Sequence, residues 1–221
     1  MIAGGAGSRI HPTVFVRSFS SQLSRRCDEP AKASRPFDAK RDGLVNGEGA
    51  AAFVLEDRQR AEARGATILA RIAGSASAFE PRSNGCPAQG VAIRSAITKA
   101  LRAARMDPAD IGHVNAHGLS TIDDDRIEAR AIRDTLGDIP VTAPKSFFGT
   151  LGSGAGAVEM AVSVLALGAG IVPVTLNYER PDPACPVNVV HGSLLTATKR
   201  TALLLNHTPM GQSAALVLAG P

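Results

Sequence analysis

The sequence has no tryptophan, a single tyrosine and few cysteines. Its three cysteines, Cys27, Cys86 and Cys185, stand far apart, and no Cys-x-x-Cys pair occurs. That spacing argues against a structural zinc site and against a dithiol redox centre. A chain of 221 residues can build a sizeable core without disulfides, so a disulfide framework is not expected either. We therefore expect a protein of a reducing compartment, the cytoplasm.

The sequence also shows neither a long apolar run nor the pattern of a secretion signal. The first nine residues do not show the basic-then-apolar order of a signal peptide. No apolar run approaches the roughly 20 residues that a membrane-spanning helix needs. Residues 9–41 are rich in basic side chains, which suits a solvated basic face or a docking patch for an acidic partner. Because no nucleic-acid-binding motif is present, we expect neither nucleic acid nor a membrane as a partner.

Apolar periodicity predicts alternating strands and helices over most of the chain. Strands are predicted at 50–55, 68–72, 111–116, 139–143, 202–205 and 214–218, and helices at 56–64, 91–105, 123–136 and 152–167. Residues 74–90, rich in serine, proline and glycine, are predicted to form a surface loop. Interleaved elements of this kind indicate a layered α/β domain.

Two candidate reactive side chains stand near glycines. His117 follows a predicted strand and precedes Gly118, which allows close backbone approach. Strand ends are where α/β folds place reactive groups, but a buried structural histidine satisfies the same pattern. Lys145, between Pro144 and Ser146, is either an electrostatic stabiliser or a solvated loop lysine.

Two further patterns have the composition of ion-binding sites. Gly152–Gly156 leads into a predicted helix whose first backbone N–H groups could hold an anion. The segment lacks the other features of a nucleotide-binding motif, so close helix packing is the favoured explanation for its glycines. Asp123, Asp124, Asp125 and Glu128 could bind a hard cation through carboxylate oxygens. We favour stabilisation of the helix dipole, the commoner role of acids in a first turn.

The order of these motifs resembles the carboxyl-terminal half of the 3-oxoacyl-[acyl-carrier-protein] synthases, the beta-ketoacyl synthase family of condensing enzymes. The matching segments are MIAGG at 1–5, RPFDAKRDGLVNGE at 35–48, NAHGLST at 115–121, PKSFFGTLGSGAGAVE at 144–159 and, more loosely, Asn177 with Pro181–Cys185. The resemblance runs from Met1 to nearly the last residue. It predicts that residues 1–221 form one carboxyl-terminal synthase domain.

This resemblance implies a thiolase-like fold, in which two similar α/β halves pack into five layers, and a homodimer or a heterodimer with a synthase subunit. It also implies a reaction. An acyl chain is carried on a cysteine, a malonyl thioester on acyl carrier protein is decarboxylated, and the resulting enolate attacks the acyl thioester. Acyl carrier protein is then the expected partner, and its phosphopantetheine arm replaces any cofactor of the synthase itself.

The resemblance also implies roles for five residues. By position, His117 would donate an N–H group to the thioester oxygen, as in an oxyanion hole. Lys145 would support charge near the site, and Glu128 would order the surrounding network. Thr121 and Thr208 are the expected contacts to the substrate and its pantetheine arm.

Three departures from the family pattern affect the expected activity. Thr150 stands where the family has its second catalytic histidine, and a hydroxyl cannot replace a cationic imidazole. The gating segment is altered at 206–215, where Pro209 should stiffen a usually mobile loop. The nucleophilic cysteine of the family would lie upstream of Met1.

These departures leave two functional hypotheses open. The first is a condensing acyltransferase of fatty acid or polyketide synthesis, impaired or inactive as this isolated chain. The second is a non-catalytic partner subunit that resembles a chain-length factor. We expect the chain to be part of a longer protein or of a hetero-complex, with the longer protein favoured. Alone, it should expose an apolar face.

Overall fold

A computed structural model describes residues 1–18, 23–81, 89–208 and 210–221. Its strands are β1 (Ile2–Ser8), β2 (Glu48–Val54), β3 (Arg71–Phe79), β4 (His113–Asn115), β5 (Pro140–Thr142), β6 (Ile171–Val172), β7 (Asn188–Val189), β8 (Leu195–Thr196), β9 (Thr201–His207) and β10 (Gln212–Ala219). Its α-helices are α1 (Pro12–Ser18), α2 (Arg58–Ala63), α3 (Val91–Ala104), α4 (Ile122–Leu136), α5 (Lys145–Phe148) and α6 (Ala155–Ala169). The predicted α/β class is confirmed.

The main sheet has six strands in the order β3-β10-β9-β4-β5-β7. β3, β10 and β9 pair antiparallel, whereas β9, β4, β5 and β7 run parallel. The two late strands predicted from the sequence are therefore neighbours, as expected. A parallel strand that is covered on both faces usually has a continuous apolar sequence. The buried stretch 202–205 of β9 has such a sequence.

Helices cover both faces of this sheet. On one face, Ile97 of α3 and Ile132 of α4 pack around Val114 of β4. On the other face, Leu167 of α6 packs against Leu218 of β10. The predicted α-β-α layering is confirmed, and the two-stranded ribbon of β1 and β2 adds a further layer on the far side of α6.

Glycines bring this ribbon close to the turn that precedes α6. A Cβ atom on Gly154 would lie 2.5 Å from the Gly49 carbonyl oxygen and 2.7 Å from the Gly7 nitrogen. Close packing, the favoured explanation for the glycines at 152–156, is therefore confirmed for Gly154. The ribbon also carries the strongly exposed side chains of Ile2 and Val54.

The sequence prediction was wrong at β3. A loop was predicted from residue 74, but the strand runs through to Phe79. Its Gly74 lies against α3, where a Cβ atom would be 2.5 Å from the Ala104 nitrogen and 2.6 Å from the Ala100 carbonyl oxygen. The small residues that suggested a loop are the ones that let this helix approach the strand. Residues 82–88 of the predicted loop lie outside the described residues.

One segment, Gly152–Ala169, is long and apolar enough to cross a membrane by length and composition alone. The sequence expectation that no apolar run approaches this length was therefore wrong. The segment lies between the ribbon and the six-stranded sheet and packs on both. Core packing thus explains its composition, and its one acid, Glu159, is paired inside the protein.

Candidate active site

Two histidines come together at one edge of the six-stranded sheet. β4 and β9 are parallel, with Asn115 opposite Leu204, so both chain segments leave the sheet on the same side. The ring centroids of His117 and His207 lie 4.4 Å apart, with the ring planes tilted at 54°. The sequence pointed to His117 and missed His207, whose only signal was its place just beyond a predicted strand.

Lys145 joins them from the carboxyl end of β5. Its side chain is almost completely buried, so the solvated-loop explanation was wrong. Nζ donates to the backbone oxygen of His117 at 2.7 Å and lies 3.0 Å from His117 Nδ1. An ammonium group has donors only, so this second contact requires an unprotonated Nδ1. The neutral His117 ring then carries its proton on Nε2.

Glu159 of α6 neutralises Lys145. Its Oε1 forms a buried ion pair with Lys145 Nζ, and its Oε2 accepts a hydrogen bond from Asn206 Nδ2 at 2.6 Å. Burial raises the pKa of Glu159 above its usual value, although the neighbouring Lys145 ammonium and Asn206 amide act in the opposite direction. Sequence reasoning missed Glu159, although a lone acid in an apolar helix is a recognisable sign of a buried partner.

Glu128 of α4 holds the turn that carries His117. Its two carboxylate oxygens accept the backbone N–H groups of His117 at 2.6 Å and Gly118 at 2.8 Å. Gly118 has a φ of +46°, and a Cβ atom there would lie 2.7 Å from the Ala143 Cβ, so the turn requires glycine. Burial alone would raise the pKa of Glu128, but the His207 ring and these N–H groups bring it below its usual value.

The charge state of His117 follows from its surroundings. Burial, followed by the nearby Lys145 ammonium and the His207 ring, lowers the pKa of His117 well below 6.5. The ring is therefore neutral at neutral pH. A neutral imidazole with its proton on Nε2 can donate one hydrogen bond to an oxygen on which negative charge develops. We call the group around it the site cluster, which consists of His117, Glu128, Lys145, Glu159, Asn206 and His207.

Two open cavities adjoin the site cluster between β3, β9 and β10. One, of about 570 Å³, is lined in part by Gly156 and Asn206. The other, of about 660 Å³, is lined in part by Asn206, His207 and Thr208. The site cluster therefore reaches open space through Asn206 and His207.

Thr150 has different surroundings. Its N–H donates to the Val45 oxygen at 2.7 Å, and its own carbonyl oxygen accepts the Gly47 N–H at 3.0 Å. These bonds tie the 144–159 segment to the 35–48 segment. Within the described ranges, none of the hydrogen bonds of the site cluster involves Thr150. Its role in the site remains a prediction.

The two threonines expected to contact substrate lie apart from one another. Thr121 is buried at the start of α4, where its hydroxyl donates to Asp124 Oδ2 at 2.9 Å. Thr208 is exposed in the turn between β9 and β10, and its N–H donates to the Gln212 oxygen at 2.9 Å. Of the two, Thr208 lines the larger cavity. Pro209, expected to stiffen this turn, lies outside the described residues.

A second group of buried charges surrounds the 35–48 segment. We call it the loop cluster, and it consists of Arg35, Asp38, Arg41, Asp125 and Asp182. Arg41 donates from Nη1 to Asp182 at 2.6 Å and from Nε and Nη2 to the backbone oxygens of Thr121 and Ile122 at 3.0 Å and 2.9 Å. The arginine thus joins the start of α4 to the 181–185 segment.

Asp38 completes this cluster. One of its oxygens accepts Arg35 Nε at 2.9 Å, and the other accepts the backbone N–H groups of Glu179 at 2.8 Å and Arg180 at 2.7 Å. Burial works to raise the pKa of Asp38, but these N–H donors outweigh it and lower the pKa. The charged residues of the 35–48 motif therefore hold three chain segments together.

The acidic residues at the start of α4 face different groups. Asp123 pairs with Arg126 at 2.8 Å, while Asp125 accepts the backbone N–H groups of Phe37 at 2.8 Å and Ser120 at 3.0 Å. Burial raises the pKa of Asp125 to about 7, against the opposing effect of the Phe37 N–H. The carboxylates of this turn are thus engaged with the chain's own donors rather than directed at one shared point.

The two cysteines in the described ranges differ in reactivity. Cys27 is exposed, whereas Cys185 is buried beside the loop cluster. Burial, reinforced by the carboxylates of Asp125 and Asp182, raises the pKa of Cys185 to about 12 even though Arg41 opposes the shift. Such a thiol stays protonated at neutral pH and is a poor nucleophile. Cys86 lies outside the described residues.

Comparisons with known proteins agree with this geometry. Residues 69–179 match the family model "Beta-ketoacyl synthase, C-terminal domain", and residues 1–61 match "Beta-ketoacyl synthase, N-terminal domain". A putative polyketide beta-ketoacyl synthase 1 of Streptomyces cyaneus is 40% identical over the whole chain, which covers 54% of that relative. The chain spans about half the length of the curated relatives it matches.

Solved structures extend the likeness to the fold. A beta-ketoacyl synthase of Burkholderia phymatum STM815 matches the whole chain with a TM-score of 0.94 and 36% identity, over 54% of its own length. A ketosynthase of a type II polyketide system, in complex with its acyl-carrier protein, matches at 0.92 and 32% over 56%. The ishigamide ketosynthase/chain length factor matches at 0.89 and 30% over 53%. The chain has a thiolase-like fold and belongs to the beta-ketoacyl synthase family.

Proposed function

We propose that the protein containing this chain is a beta-ketoacyl synthase that condenses acyl and malonyl thioesters on acyl carrier protein. In this reaction the malonyl carboxylate leaves as CO₂, and the electrons of the broken C–C bond form an enolate. The enolate carbon bonds to the acyl carbonyl carbon, the C–S bond of the acyl thioester breaks, and the sulfur leaves as thiolate. The nucleophilic cysteine belongs to the longer protein under this proposal.

The observation that carries the proposal is the arrangement of His117, Lys145 and Glu159. Lys145 occupies the Nδ1 side of His117, so the N–H on Nε2 is the one hydrogen-bond donor that the neutral ring can offer. Glu159 neutralises the ammonium, so the site holds a buried lysine without a net buried charge from this pair. This arrangement suits stabilisation of a thioester oxygen and an enolate, both of which become negative during reaction.

The proposal extends to partners and location. We propose acyl carrier protein as the partner, a homodimer or a heterodimer with a second synthase subunit as the assembly, and the cytoplasm as the location. The phosphopantetheine arm of the carrier is the only prosthetic group required. Of the basic residues at 9–41, Arg35 and Arg41 are buried in the loop cluster, and the exposed ones, among them Arg25, supply a docking patch for an acidic carrier. Unchanged carrier affinity after charge reversal at Arg25 and Arg26 would rule out that location.

One alternative is supported by a specific observation. Thr150 supplies no imidazole at the position of the family's second histidine, and the buried Cys185 lies beside Asp182 of the loop cluster. These features suit a non-catalytic partner subunit that shapes an acyl tunnel for an active synthase. They do not explain the buried lysine and its two partners, which a silent subunit would not need, so we favour the enzyme.

The two functions are separated by malonyl-carrier decarboxylation. The full-length protein, with its partner subunit if it has one, is compared with its His117→Ala variant and with His191→Ala as a matched control. His191 is exposed and packs on Tyr178 with ring centroids 5.2 Å apart, outside the site cluster. Turnover that falls by about 10²-fold or more in His117→Ala and persists in His191→Ala supports the enzyme. Equal turnover of wild type and His117→Ala, or none in either, favours the silent subunit.

A further inference from the structure

His207 is a second imidazole in the site that the family motifs did not predict. It is the last residue of β9, and its ring packs against the ring of His117. Only 9% of the residue is exposed. It also lines the larger open cavity beside the site cluster. A buried imidazole therefore lies at the boundary between the site cluster and open space.

One nitrogen of this ring has no hydrogen-bond partner among the described residues. His207 Nε2 lies 3.8 Å from Glu128 Oε2, which is an ion-pair distance but too long for a hydrogen bond. A buried polar atom without a partner costs about 1–3 kcal/mol. Eight buried side-chain atoms of the described residues are in this state, and His207 is the one residue among them that lines either of the two cavities.

The position of His207 also fits a need of the proposed reaction. An oxyanion is best held by two donors, each about 2.7–3.1 Å from the oxygen. Two rings with centroids 4.4 Å apart are close enough for their N–H groups to converge on one oxygen atom. Glu128, which fixes the His117 turn through two backbone N–H groups, also lies 3.8 Å from His207 Nε2, so one carboxylate adjoins both segments.

We propose that His207 supplies the second imidazole N–H donor of this site, the role for which position 150 carries no imidazole. The inference rests on the proposed synthase function and adds a residue to it. In this arrangement His117 comes from the end of β4 and His207 from the end of β9. The substrate oxygen enters from the cavity lined by His207 and Thr208.

The test compares three variants of the full-length protein in its assembled form. His207→Ala removes the ring, His207→Gln keeps a side-chain N–H donor, and His191→Ala is the exposed control. We expect kcat for malonyl-carrier decarboxylation to fall by about 10²-fold in His207→Ala with little change in KM. His207→Gln should retain part of the lost rate, and His191→Ala should match wild type. Thermal unfolding midpoints show whether each variant remains folded under the assay conditions.

The outcomes distinguish this inference from the proposed function. Unchanged kcat in His207→Ala, while His117→Ala is inactive, would overturn the inference and leave the synthase function standing. Equal losses in the Ala and Gln variants, with both proteins folded, would also overturn a donor role. A wild-type protein without turnover would overturn the synthase function and the inference together. Loss in Ala with partial retention in Gln supports both.

Discussion

The site cluster and the loop cluster bury charge in two different ways. In the loop cluster, Arg41 donates from all three guanidinium nitrogens, and both oxygens of Asp38 accept hydrogen bonds. In the site cluster, Lys145 and Glu159 are paired, but His207 Nε2 has no hydrogen-bond partner among the described residues and its ring borders a cavity. Buried groups that are bonded hold chain segments together, although Arg35 Nη2 of the loop cluster also lacks a hydrogen-bond partner in the described part of the chain. What distinguishes the site cluster is that Asn206 and His207 line a cavity that a ligand can enter. Damage to the loop cluster should therefore reduce stability, and damage to the site cluster should reduce turnover.

The largest effect is expected from Lys145→Met. Both side chains of the Lys145–Glu159 pair are 2% exposed, so the substitution leaves a buried carboxylate without its cation. We expect the free energy of unfolding to fall by about 3–5 kcal/mol and turnover to be lost. Urea denaturation and malonyl-carrier decarboxylation, normalised to the folded fraction, measure the two effects.

The double variant Lys145→Met/Glu159→Met sharpens this prediction. It removes both buried charges, so much of the lost stability should return while turnover should not. Recovery of turnover in the double variant would show that the site does not need the lysine and would place this pair with the structural loop cluster.

Asp38→Asn tests whether the loop cluster contributes to stability rather than to turnover. The substitution leaves the buried Arg35 with only the exposed Glu179 carboxylate, 3.4 Å from its Nη2, as an anionic partner and weakens the bonds to the 179–180 backbone. We expect a loss of about 3 kcal/mol in the free energy of unfolding. Turnover per folded molecule should stay unchanged, and Lys32→Ala, which breaks the exposed pair with Glu29, should have no measurable effect on stability. Turnover loss in folded Asp38→Asn protein would contradict the division between the clusters.

His113 belongs to neither cluster. It shows how burial changes the pKa of an imidazole that has no hydrogen-bond partner. Its two ring nitrogens have no hydrogen bonds within the described ranges, and burial lowers its pKa from 6.5 to about 4. Between those pH values the unfolded chain binds a proton that the folded chain does not, so stability falls as pH falls. The loss approaches about 3 kcal/mol at pH 4.

The pH dependence is checked by denaturation from pH 7 to pH 4. His113→Leu should remove the part of the slope that His113 causes, whereas His11→Ala, at an exposed position, should leave the slope intact. Parallel pH profiles for wild type and His113→Leu would show that this histidine is not the source.

The smallest perturbation is alkylation of the cysteines in the folded protein. With a pKa of about 12, only about 10⁻⁴ of the Cys185 thiol is ionised at pH 8, and the residue is buried. Iodoacetamide should label the exposed Cys27 rapidly and Cys185 only after unfolding, as read by mass spectrometry of peptides. Faster labelling of Cys185 in Asp38→Asn would report loosening of the loop cluster, while rapid labelling in the wild type would contradict its burial.

Local patterns predicted the elements that local forces decide. The helices α3 and α4 follow from apolar spacing, and β9 and β10 follow from continuous apolar runs. β1 escaped prediction because its sequence IAGGAGS has little strand propensity, and pairing with β2 decides its conformation. The prediction ended β3 too early because small residues are typical of loops. In β3 these small residues instead allow α3 to pack closely against the strand.

The sequence by itself determined the family and named His117, Glu128 and Lys145, since these residues lie in recognisable motifs. Only the tertiary structure decided that Lys145 is buried, that Glu159 neutralises it and that His207 meets His117. Motifs and periodicity act over a few neighbouring residues. The parallel pairing of β4 with β9 joins segments that are distant in the chain, and this pairing places a second imidazole beside the first.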